Sequence, residues 1–133
     1  MSRGQALVEL ALCAPVVMML ALGSVAVVQI QDAAAGLEAA TEAAAAAAAG
    51  APDPIAAAAA AQQRFAAVAS DYPLRAATIR LSAGDFSRAG ELVASSSAIV
   101  DIGWAAMGLP SRISLRATAV WRIEPWRTRR TPS

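Results

Sequence analysis

The chain has 133 residues, 57% of them hydrophobic, with a formal net charge of +1 and a mean hydropathy of +0.49. That length suits one small domain rather than two, and the near-neutral balance supplies no global field for nucleic acid. With no histidine and a single cysteine, Cys13, the chain has no internal disulfide, no Cys–His nucleophile and no zinc ligand set. Much of the apolar excess is alanine, and all 11 basic residues are arginine, which reads as GC-rich coding.

The first element is an apolar run. Residues 10–28 form a stretch of 19 without a charge, about 28 Å as a helix and close to the hydrocarbon thickness of a bilayer. Pro15 and Gly23 are tolerable in such a helix. A buried core helix is the alternative, but so small a domain has little core to wrap around it. Arg3 precedes the run; Asp32, Glu38 and Glu42 follow it, and the next cation is Arg64. Basic flanks favour the cytoplasmic side, so the expectation is a single span with the N-terminus inside and the following residues outside. As a secretory signal the n-region is short and the run is long, although Ala33–Ala35 supplies an A-x-A-like site. A lipoprotein reading of Cys13 is weaker, because Leu12 stands where a small residue is needed.

At the front edge of the run sits one carboxylate, Glu9, the fifth residue counted from Gln5. The pair Arg3-Gly4 is a basic residue followed by a small one. The string RGQALVELAL over residues 3–12, with Pro15 close behind, resembles the opening of TadE-like minor pseudopilins of tight-adherence (Flp-type, type IV-like) pilus systems. Leu10 stands where phenylalanine is common in that family. The segment AVWRIEPW over residues 119–126 also looks like the final strand of actinobacterial relatives, while the middle of the chain agrees only in layout and length. The resemblance implies a class III signal leader over residues 1–4, cut by a prepilin peptidase between Gly4 and Gln5, with Glu9 kept in the membrane helix. A buried ionised carboxylate costs roughly 2.5–3.5 kcal/mol at the centre of a span and less near its end. Cleavage would create an α-ammonium on Gln5, one turn from Glu9. In a stack of subunits the same carboxylate can meet the next subunit's ammonium and fix axial register. The bland alternative is a solvated glutamate at the headgroup boundary.

After the span (residues 5–30) a helical stalk is expected over residues 31–49, since no proline interrupts it and alanine is the best helix former. Glu38 and Glu42 fall one turn apart on a solvated face. The alanines at 43–49 read first as helix propensity and second as a smooth surface for close helix approach. Gly50-Ala51-Pro52-Asp53-Pro54 is a break: Gly50 suits a C-cap, and Asp53 caps a second helix with Pro54 at its first position. That helix reaches about Ser70, with Ala58, Ala61, Phe65, Val68 and Tyr72 as its apolar stripe.

The period then changes. Ala77, Ile79 and Leu81 alternate with Thr78, Arg80 and Ser82; residues 92–102 form a longer small-residue strand; Ile113 to Ile123 alternate most clearly. Loops are expected over 83–90 and 103–111, with Trp104 and Met107 closing the domain end. The fold class is therefore α+β: a long N-terminal transmembrane helix, a second helix, and a small antiparallel sheet of about three strands, pilin-like in outline. One sheet face should pack on the Phe65 helix in a small extracytoplasmic domain over residues 50–126. The other face should carry Arg80, Arg116 and Arg122, solvated or forming a basic stripe for polyanions. Residues 127–133 read as a disordered basic tail.

No phosphate loop, paired catalytic carboxylates or metal-ligand spacing appears, and the serines at 95–97 lack a nucleophile frame. No enzymatic activity, cofactor or metal is expected. The partners implied by the resemblance are a prepilin peptidase, the major and other minor pilins, the inner-membrane pilus assembly platform and the lipid bilayer. An uncleaved single-pass anchor carrying an extracytoplasmic binding module is the competing reading, and it gives Glu9 no role.

Overall fold

The structure, a computed structural model, describes residues 2–84, 90–105 and 110–123. In chain order it runs α1 (Ser2–Ala49), α2 (Pro54–Ala69), β1 (Arg75–Ala83), β2 (Glu91–Asp101), a 3-10 turn (Gly103–Ala105) and β3 (Arg112–Arg122). The strands form one antiparallel sheet in the order β1-β2-β3. The expected α+β class is the observed one. Residues 85–89, 106–109 and 124–133, including Met107 and the basic tail, lie outside the described residues.

α1 is a single helix of 48 residues, about 72 Å long, and continues through Pro15 and Gly23. It starts at Ser2, three residues earlier than expected, because no proline or strong breaker opposes helix before Gln5. The break after it forms as its residues dictate. Gly50 N–H donates to the carbonyls of Ala46 and Ala47, both at 3.2 Å. Asp53 Oδ1 accepts from Ala56 N–H at 2.8 Å, and Pro54 opens α2. The cap satisfies one of the first-turn amides that have no carbonyl behind them.

Two layers result, α1 and α2 against the sheet. The segment 31–49, expected as a stalk, is instead the central helix of the domain. Its buried face is made of Ala33, Gly36, Leu37, Ala40, Thr41, Ala44, Ala45 and Ala48. The sheet therefore packs mainly on α1 through β2 and β3, while α2 lies beside α1 and meets the sheet mainly at β1. The small residues explain this correction: a helix surface without bulk lets two neighbours approach its axis closely. The alanine run thus serves packing inside the chain, with Ala44, Ala45 and Ala48 fully covered, while Glu38 and Glu42 stay exposed as expected.

On α2 the buried residues are Ala57, Ala61, Phe65 and Ala69, spaced by four. Ala58, placed in the stripe from sequence, is exposed; Val68 and Tyr72 are half-buried. Six consecutive alanines over residues 56–61 give the sequence no phase, so only the partner helix selects which of them is covered. Phe65, at 4% exposure, and Leu37 and Leu92, both at 1%, are the bulky members of a core otherwise rich in alanine.

Two contacts lock the layers. The ring of Tyr72 lies directly over Gly36, where an added Cβ would sit 2.3 Å from Cγ. Thr41 Oγ1 donates to Leu37 O at 2.6 Å and lies 2.5 Å from Ser96 Oγ on β2. The Leu37 carbonyl can only accept, so the Thr41 proton is committed there and Ser96 donates to Thr41. No buried side-chain polar atom among the described residues lacks a partner.

Gly36→Ala should destabilise by about 1–3 kcal/mol, since the clash is with the root of the ring, not its mobile end; denaturant unfolding followed by circular dichroism checks this. Thr41→Val should cost about 1–3 kcal/mol by stranding the Ser96 hydroxyl. The double variant Thr41→Val/Ser96→Ala should be less harmful than the sum of the two single changes. A strictly additive double variant would show that the two hydroxyls are not coupled.

Candidate functional site

The residues singled out from sequence all lie on the free end of α1. From Ser2 to Val25 every residue is exposed except Leu22, which is half-buried. Within the uncharged run Ala26 alone is buried, and the helix is long and apolar enough to cross a membrane. Leucine, valine and methionine side chains project into the surroundings along its length; Leu12 is 69% exposed and Met18 64%. Apolar surface on this scale, contiguous around a helix, demands a nonaqueous neighbour.

Arg3, Gly4, Gln5 and Glu9 are exposed on the first two to three turns. A Cβ built on Gly4 meets nothing within 4 Å, so no packing inside the chain requires glycine there. The Gly4–Gln5 bond lies within the helix rather than in an extended leader. The first four amides of any helix lack intrahelical acceptors, so the opening turn unwinds at little cost. Gln5 and Glu9 stand four residues apart on one side of the helix, within reach of one another. Both side chains are exposed, and neither is packed into the core of the described domain.

A second feature is the outer face of the sheet. An open hollow of about 660 Å³ there is lined in part by Thr78, Arg80, Ser95, Ser97, Arg116 and Thr118. Arg80 lies opposite Ser95, and Arg116 opposite Ser97, so the two guanidiniums flank a field of hydroxyls diagonally. Thr78 Oγ1 and Ser97 Oγ are 3.1 Å apart. As expected, the outer face carries Arg80, Arg116 and Arg122, all exposed; the ladder favours the solvated reading over a basic stripe, because Val93 opposite Val120 separates the first two from Arg122, which stands across from Glu91. Its charge faces an opposite charge, so it does not extend a basic track.

Sequence reasoning missed three residues that the fold uses. Gly36 and Thr41 sit in an alanine-rich helix where nothing local marks them, although a lone hydroxyl on a buried stripe is a usable signal. Gln29 accepts a hydrogen bond from Trp104 Nε1 at 3.2 Å, a link across 75 residues that no spacing rule reveals. Among the described residues no group of three metal-ligating side chains converges.

No protein-family model, curated protein or solved structure matches the chain. The functional reading accordingly rests on the residues and their placement. Because Glu9 is exposed and outside the buried core of the described residues, Glu9→Gln should leave unfolding within about 0.5 kcal/mol of the parent. A larger loss in detergent-solubilised protein would assign the carboxylate a role in the fold itself.

Proposed function

We propose that this chain is a TadE-like minor pseudopilin, made as a prepilin, cut between Gly4 and Gln5, and used in assembly of a Flp/Tad-type pilus for adherence or secretion. One observation carries the proposal: Arg3-Gly4 and Glu9, in register with an uncharged run, lie at the unpacked end of a 48-residue helix. In this reading α1 is a single span of the cytoplasmic (inner) membrane, its N-terminus inside and its packed half outside. The peptidase reaches the Gly4–Gln5 bond from the cytoplasm. The new ammonium of Gln5 and the Glu9 carboxylate then form a contact within the subunit or between neighbours, and fix its height in a helical bundle. The chain acts by assembly and not by catalysis. Its partners are a prepilin peptidase, the major and other minor pilins, and the membrane platform that assembles them.

The hydroxyl and arginine face of the sheet favours a second reading, an uncleaved single-pass anchor presenting that face as an extracytoplasmic binding module. The two diverge at one covalent bond. Mass spectrometry of the membrane-extracted protein should find Gln5 as the mature N-terminus, and Gly4→Leu should retain residues 1–4. A chain that begins at Met1 or Ser2 in cells containing the peptidase rejects the pseudopilin reading. Glu9→Ala should be processed yet lose co-purification with pilins; unimpaired co-purification would favour the anchor.

A further inference from the structure

β2 runs antiparallel to α1, and three contacts mark its descent. Ser96 meets Thr41, Val100 shares a buried cluster with Ala33, and Trp104 in the following turn donates to Gln29. Thr41 to Gln29 spans about 18 Å of helix. The 3-10 turn therefore arrives where the apolar run gives way to Gln29, one residue past Val28. Ala26, just below Gln29, is 8% exposed and Leu22, a further turn down, is half-buried. The folded domain thus overlaps the last turns of the apolar segment.

What stands at that level is chemically distinctive. Trp104 is 51% exposed, with its indole N–H held by Gln29. Beside it is an open hollow of about 450 Å³ lined by Gln29, Pro73, Leu74, Arg75, Asp101 and Trp104. Arg75 lies opposite Ile99 and Arg112 opposite Asp101, so both exposed arginines sit at this end of the sheet. The ladder of β1 is irregular between Arg75 and Thr78, and Ala76 takes a left-handed φ of 49°. Such an irregularity re-aims the strand end that carries Arg75. Among the described residues lining the hollow the acid is Asp101, which accepts from Gly103 N–H at 2.9 Å and stands across the ladder from Arg112; Arg75, opposite Ile99, has no acid facing it in the ladder. Asp32, one turn above Gln29, is the nearest acid on α1.

We propose that this end of the domain is a second membrane contact. Trp104 lies in the headgroup layer around the outer end of α1, and Arg75 engages the phosphates of anionic phospholipids. An amphipathic indole, with an apolar body and a polar N–H end, is favoured at that depth, and guanidinium is the side chain best shaped for phosphate. With the helix and the turn both tied to the bilayer, the domain cannot rotate freely about α1, and its outer sheet face keeps a fixed heading. The inference rests on α1 being a membrane span.

The test uses the full chain in phosphatidylcholine–phosphatidylglycerol vesicles, with and without lipids brominated near the headgroup end of the acyl chain. Trp121→Phe/Trp126→Phe leaves Trp104 as the sole indole; Trp104→Phe/Trp126→Phe leaves Trp121, at the opposite end of the sheet. A fluorophore on Cys13 reports the span independently. The expected result is strong quenching of the Cys13 probe, and quenching of Trp104 several-fold above that of Trp121. Arg75→Gln should lower the Trp104 quenching, and unchanged quenching would overturn the arginine contact. Equal quenching of the two tryptophans with the Cys13 probe quenched overturns the second contact and leaves the span standing. An unquenched Cys13 probe overturns both. Trp104 emission that responds to protein-to-lipid ratio and not to bromine would place a neighbouring copy on the turn, and also overturns the proposal.

Discussion

The close approach of other elements to the upper half of α1 is the constraint on which the rest of the structure depends. Gly36, Ala40, Ala44 and Ala48 present almost no side-chain bulk, so the ring of Tyr72, the body of α2 and the inner face of β2 and β3 all come near the same helix. A core poor in large side chains gains less from each burial than a leucine-rich one, by roughly 0.8 kcal/mol per missing methylene. Tight packing and satisfied hydroxyls must offset that. The Thr41–Ser96 pair and the Gly36–Tyr72 contact are therefore not incidental: each holds two layers together at a point where bulk is absent.

One helix consequently has two unlike halves. Below about Ala26 its surroundings are not supplied by the chain, and its side chains are those a bilayer accepts. Above that point its surroundings are its own domain. Because the helix is unbroken, any force or register set at Glu9 is transmitted along a continuous hydrogen-bonded rod to the sheet. That mechanical continuity suits a subunit that must be held at a defined height in an assembly, and it would be unnecessary for a tethered module on a flexible stalk. The position of Trp104 beside Gln29 carries the same logic outward, since it brings the domain's lower end to the level where the apolar surface stops.

Much of the architecture was legible in the residues. The period-two alternation of Ile79, Leu115 and their neighbours identified the strands to within a residue or two, and Asp53-Pro54 located the start of α2, because caps and strand periodicity are local chemistry. The stalk expected over residues 31–49 was not a stalk, and the helix expected to cover the sheet was the wrong one of the two. Both errors have one cause: a run of alanine is compatible with a solvated rod, a lipid-facing surface or the tightest helix contact in the domain. Arg80, Arg116 and Arg122 do share the outer face, because alternation identifies a face, but cross-strand neighbours such as Glu91 opposite Arg122 depend on register.

By itself the sequence determined where the helices and strands begin and end, which stretch is apolar enough for a membrane, and the constellation of Arg3, Gly4, Gln5 and Glu9. These follow from propensity, capping and hydropathy, which act over a few residues. Only the tertiary structure decided which helix forms the core, that the Thr41 hydroxyl meets Ser96, and that Trp104 returns to Gln29. Those outcomes depend on residues far apart in the chain being brought to one place. Alanine-rich surfaces carry too little shape of their own to announce which partner they will meet.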